Sequence, residues 1–185
     1  MDQRPVFYYD LGSPECYLTA ETIMSSLPVV PEWEPLLGSD LAPLDPHPDR
    51  DRIARLAQEL GLQPLRWPSG WPPDTNRAML AATYAKRIGR GVAFSLAAFR
   101  QAFAGGRDLG DEDTILISGA ACEMHPTALR KGIDLTSTRA ALADASRRAR
   151  HGGVTAVPAI QIGDRVFSGP NAVLEATAAL EHPLR

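Results

Sequence analysis

The chain has little cysteine, few aromatic residues and no long apolar run. Its two cysteines, Cys16 and Cys122, are far apart and fit no metal-ligand spacing. They are expected to be free thiols of a reducing compartment. The four histidines, His47, His125, His151 and His182, form no i, i+4 pair, so no metal is expected. No stretch approaches the about 20 apolar residues of a membrane helix. The opening Met1-Asp2-Gln3-Arg4-Pro5 lacks the charged and then apolar regions of a secretion signal. A cytoplasmic protein without a membrane partner is therefore expected. Charge of one sign is lacking too: 22 acidic and 19 basic residues leave a net charge of −3. The one dense basic stretch, Arg147-Arg148-Ala149-Arg150, ends a helix, where it suits the helix dipole, so no nucleic-acid partner is expected.

What is present is a change of hydrophobic period along the chain. Val6 to Leu11 is nearly continuous apolar sequence, as in a strand covered on both faces. Ser13 suits a helix cap and Pro14 its first turn. Cys16, Ala20, Ile23 and Leu27 then fall on one helical face, which Pro28 ends. Val29 to Leu37 is extended, and Pro31 and Pro35 point to an edge. Leu41 to Pro48 is a loop.

Helical stripes follow: Ile53, Leu56, Ala57 and Leu60, with Gly61 as C-cap; a helix from Asp74 or Thr75 to about Ile88; Val92, Leu96, Phe99 and Phe103 before Gly105-Gly106; a helix from Asp111 with Ile115 to Cys122 as its body; a short one opened by His125-Pro126; and Leu135 to His151. A loop at 64–73 carries Trp67 and Trp71. The period then returns to that of strands. Pro158 to Ile162 and Arg165 to Ser168 flank Gly163-Asp164, a hairpin signal, and Asn171 caps a last helix.

The order is β-α-β, a helical block, then β-β-α. A βαβ and a ββα unit can share one sheet with helices packed on it. The expected domains are residues 1–48 with 152–185 as one unit and 49–151 as an inserted helical unit.

Chemistry concentrates at Gly12-Ser13-Pro14-Glu15-Cys16-Tyr17, where the first strand gives way to a helix. A Cys-x-x-Cys there would be a dithiol redox site. Here the first position is Ser13 and only Cys16 is a thiol, so no internal disulfide can form. Unpaired N–H groups and the positive dipole end would stabilise a thiolate beside Ser13. Ser13 is thus either a thiolate-positioning donor or a plain N-cap. Cys16 is either a residual redox thiol or a small buried hydrophobe, and Cys122 is read as core packing.

The strand-turn-helix with Ser-x-x-Cys, and Gly153 to Pro158 before a hairpin, resemble the DsbA-like thioredoxin family over essentially the whole chain. Phe7-Tyr8-Tyr9-Asp10-Leu11-Gly12-Ser13-Pro14, the Arg66-Trp67-Pro68 loop and the helix start at Asn76 are similar to the 2-hydroxychromene-2-carboxylate isomerases and kappa-class glutathione transferases. The resemblance implies an α/β, thioredoxin-like fold with a large all-helical insertion. It implies glutathione, or another low-molecular-weight thiol, as cofactor, with no metal and a small aromatic or electrophilic substrate. Ser13 would then stabilise the bound thiolate.

In that analogy Val157-Pro158 is a cis peptide whose backbone pairs with the cysteinyl unit; the bland alternative is a trans proline opening an edge strand. Ser168, Gly169 and Asn171 would take the γ-glutamyl carboxylate, or Asn171 merely caps. The family commonly has a carboxylate where Asn171 stands. Trp67, Trp71 and Asn76 would line the substrate pocket, or serve loop packing and capping. Related folds often pair as homodimers. Two other functions stand beside the isomerase or transferase: a thiol-disulfide oxidoreductase using Cys16 with an external thiol, and a non-catalytic thiol-binding module.

Overall fold

The apolar run from Val6 becomes β1 (Val6–Tyr9), a strand with a neighbour on each side. The computed structural model describes residues 4–182. Helix α1 (Pro14–Ser26) carries the chain to β2 (Glu32–Pro35), which pairs parallel to β1. Strand β3 (Ala159–Ile162) pairs antiparallel to the other side of β1, and β4 (Arg165–Ser168) closes the order β2-β1-β3-β4. Edge position suits β2, since Pro35 has no N–H to give a further neighbour. Gly163, at φ +59°, makes the tight β3–β4 turn without a Cβ penalty.

Between the halves run a 3-10 turn (Gly38–Asp40), α2 (Arg50–Glu59), α3 (Asn76–Arg87), α4 (Gly91–Phe103), α5 (Glu112–Ala120), α6 (Pro126–Asp134) and α7 (Thr136–His151); α8 (Ala172–Glu181) ends the order. This is the thioredoxin-like arrangement with a helical insertion. Strand alternation sorts the core. Phe7 and Tyr9 point to the face packed by α3 and α4, with Tyr9 5.9 Å from Phe99 between ring centroids. Tyr8 points the other way, onto Ala145 and Ala149 of α7. Phe94, Phe99, Phe103, Ile115 and Leu129 belong to the same buried cluster as Phe7, so the helical block and the sheet share one apolar core. Each such side chain contributes about 1.5–3 kcal/mol by leaving water.

One local expectation is corrected and one pair of candidates is resolved. Helix α5 ends at Ala120, so Cys122 sits in the turn beyond it rather than in the helix body. Met124 N–H donates back to the Gly119 carbonyl, and Glu123 takes a left-handed φ of 62° to allow it. The N-cap of α3 is Thr75 by position, but its hydroxyl makes no capping bond; Asp74 accepts from Asn76 N–H instead.

Candidate functional site

The site begins where β1 runs out. Ser13 N–H donates to the Asp10 carbonyl at 3.1 Å, which turns the chain into α1. The Ser13 hydroxyl oxygen accepts from Cys16 N–H at 3.1 Å, an N-cap satisfying one orphan donor of the first turn. That bond uses a lone pair; the hydroxyl also lies within hydrogen-bonding reach of the Cys16 thiol, and Ser13 is only 3% exposed. Ser13 lines a cleft of about 960 Å³.

Facing Ser13 across this cleft are Val157 and Pro158, joined by a cis peptide bond, and Ser168, Gly169 and Pro170 from the β4–α8 connection. The sheet ladder stops at Ala159, so Val157 lies past the last registered pair. Gly38 and residues of α1, α2 and α8 complete the lining. A second cis bond, Trp71–Pro72, had no signal in the sequence reading.

Beneath Ser13 lies Asp10, 2% exposed, a carboxylate at the end of an apolar strand. Its carboxylate accepts Gly12 N–H at 2.8 Å, Gly38 N–H at 2.8 Å and the Thr75 hydroxyl at 3.3 Å. Burial raises its pKa; these three donors oppose the rise. Only its position between Leu11 and a turn hinted at such a role.

Cys16 is fully buried on the core face with Ala20 and Ile23 and is not part of the cleft wall. Burial pushes its thiol far above the ordinary value, and hydrogen bonding from Ser13 only partly offsets this. A protonated thiol turned into the core is chemically quiet toward a ligand at Ser13.

Trp67, Trp71 and Asn76 lie outside the cleft wall, contrary to the expected pocket role. Trp67 packs edge-on against Trp71 at 4.8 Å, with the Arg50 guanidinium 4.5 Å over its ring. The Trp67 ring is thereby engaged by the loop and by α2. Trp71 acts on the cleft from behind: its Nε1 donates to the Asp45 carbonyl at 3.0 Å, and Asp45 lines the cleft. Asn76 is exposed at the start of α3. Asn171 is also exposed; it occupies the N-cap position of α8 without a side-chain capping bond and is not part of the wall, unlike Ser168 and Gly169.

The outer face of α1 carries cleft residues that no local sequence signal marks. Thr19, Thr22, Ser25 and Ser26 line the cleft with Glu15, opposite the Cys16 face. Arg52 of α2 reaches Glu15 at 3.1 Å. Among the described residues no group of three or more His, Cys, Asp or Glu side chains is placed to hold a metal ion. Nor is any helix among them long and apolar enough to cross a membrane.

Residues 39–180 match the family model of the DSBA-like thioredoxin domain. The fold is similar to a 2-hydroxychromene-2-carboxylate isomerase, with a TM-score of 0.81 at 16% identity over 96% of this chain and 94% of the other. It is similar to a probable DsbA oxidoreductase from Streptomyces coelicolor, with a TM-score of 0.76 at 20% identity over 98% and 92%. The cytosolic disulfide reductase DsbM from Pseudomonas aeruginosa, in a structure with GSH, gives 0.68 at 18% identity over 96% and 97%. These identities carry the fold alone. No curated protein matches the chain significantly.

Proposed function

This chain belongs to the DSBA-like thioredoxin domain family, and we propose that it is a thiol-dependent isomerase or transferase in which Ser13 holds the sulfur of a bound small thiol. One observation carries this reading: a nearly buried serine hydroxyl lines a large cleft at the N-terminus of a helix. The residues fit a thiol. Ser13 would donate to the sulfur, charge-assisted once the sulfur is ionised. The N-terminal end of α1 would lower that sulfur's pKa. Val157, past the sheet ladder, would offer its backbone to a peptide-like or amide-bearing part of the ligand. When bound, the thiol supplies a nucleophile toward a conjugated or electrophilic aromatic substrate. The chain's share is to bind, orient and keep the sulfur ionised. Glutathione is the thiol that the resemblance implies and the first to test.

Burial of Cys16 speaks against an oxidoreductase working through that thiol. The test is the melting temperature of wild type and Ser13→Ala with and without a small thiol. At a hundredfold excess over Kd, wild type should rise by about 5–10 °C, and the variant by less than half of that. An equal rise in both would remove Ser13 from the site. No rise with any thiol would leave a domain that kept the fold without this ligand.

A further inference from the structure

Beyond the Ser13 seat, and apart from the Thr19 and Ser168 hydroxyls, the side chains of the cleft wall present more hydrogen-bond acceptors than donors. Four of its hydroxyls have committed their only proton to a main-chain carbonyl. Thr22 donates to the Leu18 carbonyl at 3.1 Å, with the Thr19 carbonyl at 3.2 Å, and Ser25 and Ser26 donate to the Thr22 carbonyl at 2.9 and 3.0 Å. Thr177 of α8 donates to the Val173 carbonyl at 2.8 Å. A hydroxyl so bonded keeps its lone pairs and faces a ligand as an acceptor.

The charged groups point the same way. Three carboxylates, Glu15, Asp45 and Glu59, line the cleft against a single cation, Arg52, and Glu15 already holds that guanidinium at 3.1 Å. At the start of α8, Pro170 has no N–H and Ala172 N–H is bonded to the Gly169 carbonyl at 3.2 Å, which leaves the first-turn N–H groups of Val173 and Leu174, and among the described residues no Lys or Arg from that end lines the cleft to assist them. A ligand with two carboxylates would meet like charge and unmatched acceptors on both walls. That a ligand belongs here rests on the proposed seat at Ser13, a nearly buried hydroxyl that lines the same cleft.

We infer that this cleft is built for a small thiol that carries hydroxyl or amine donors and no net negative charge, rather than for a peptide thiol with two carboxylates. The inference rests on the proposed thiol seat at Ser13 and names the chemistry of its ligand. The donors would meet the Thr22, Ser25, Ser26 and Thr177 oxygens and the Glu59 carboxylate, while Leu56, Leu60 and Val173 cover the ligand's carbon frame.

Calorimetric titration of wild type, Glu59→Lys and Ser13→Ala with 1-thio-β-D-glucose, cysteamine and glutathione tests this. The first probe reports hydroxyl donors and the second an ammonium. At low salt wild type should bind one or both about tenfold tighter than glutathione. Raising the salt should narrow the gap for cysteamine more than for thioglucose. Glu59→Lys, at an exposed position of α2, should shift the ratio toward glutathione by about threefold or more. Glutathione binding wild type as tightly as both probes would overturn the inference and leave the thiol seat intact. Failure of all three thiols to bind would overturn the seat itself, and the inference with it.

Discussion

The Asp10 carboxylate accepts the Gly38 backbone N–H at 2.8 Å and thereby ties the end of β1 to the floor of the cleft. Its other oxygen takes Gly12 N–H at 2.8 Å, so one side chain sets both the turn before Ser13 and the turn facing it. Thr75, at the start of α3, adds a third bond at 3.3 Å and brings the helical block into the same network. Ser13 is held in place by a neighbour that does not itself line the cleft.

Asp10→Asn keeps the volume but removes one acceptor oxygen, so one backbone N–H must face an amide NH2. The expected cost is about 1–3 kcal/mol, read by urea unfolding at neutral pH. A pH signature accompanies it. Burial raises the folded-state pKa of Asp10. Its contribution is therefore fully present below the ordinary value of 3.8 and is lost as pH rises through the higher folded value. Wild type should show that declining component and Asp10→Asn should not. Identical pH slopes in the two proteins would remove Asp10 as their source.

Gly12 is required for space. A Cβ there would stand 2.5 Å from Thr75 Cγ2 and 3.2 Å from Pro73 Cγ. Gly12→Ala should therefore destabilise by about 1–3 kcal/mol and weaken thiol binding, since the displaced Thr75 also bonds Asp10. Adding Thr75→Ser removes Cγ2 and keeps the hydroxyl. The double variant should recover most of the loss in a thermal melt, and no recovery would place the clash elsewhere.

Both thiols should be closed to reagent in the native protein. Cys16 is fully buried with its pKa raised, and Cys122 is buried with its pKa raised by desolvation. A disulfide reagent at pH 8 should react with neither thiol on the timescale in which both react in denaturant. Rapid native reaction that disappears in Cys16→Ala would reopen the oxidoreductase reading.

On the sheet edge, Lys86 Nζ lies 2.7 Å from Glu32 and 2.6 Å from Glu34. Its hydrogen bond to Glu32 leads in lowering that carboxyl's pKa. A depressed carboxyl stabilises the fold above its ordinary 4.5 and loses that effect as pH falls through the folded value. Lys86→Met should flatten stability against pH on the acid side of 4.5. Glu32 is partly solvated, so salt should reduce the difference. An unchanged acid limb would mean that the pair contributes nothing measurable.

Much of the fold was legible because its signals are local. Alternation between Phe7, Tyr8 and Tyr9 determines which side chains share a face, since the strand period is two. The Ser13-Pro14 start and the Gly163-Asp164 turn depend only on what those residues do to their own backbone. Which of the two roles open to Trp67 and Trp71, pocket wall or loop packing, the sequence does not tell, for the opposite reason. Aromatic residues in a proline-rich loop say nothing about which way the loop folds, and here Phe103, Arg50 and the Asp45 carbonyl claim the rings and the indole N–H.

The sequence by itself determined the order of elements, the cap that aims Ser13 at a helix start and the lack of a second thiol beside Cys16, because each depends on neighbours within a few residues. Only the folded chain settles that Asp10 meets Gly38, that Cys16 turns into the core and that the hydroxyls of α1 line one cleft with Glu59 of α2. Those pairings join segments tens of residues apart, and only shared burial of the apolar faces of β1, α1 and α4 brings them together.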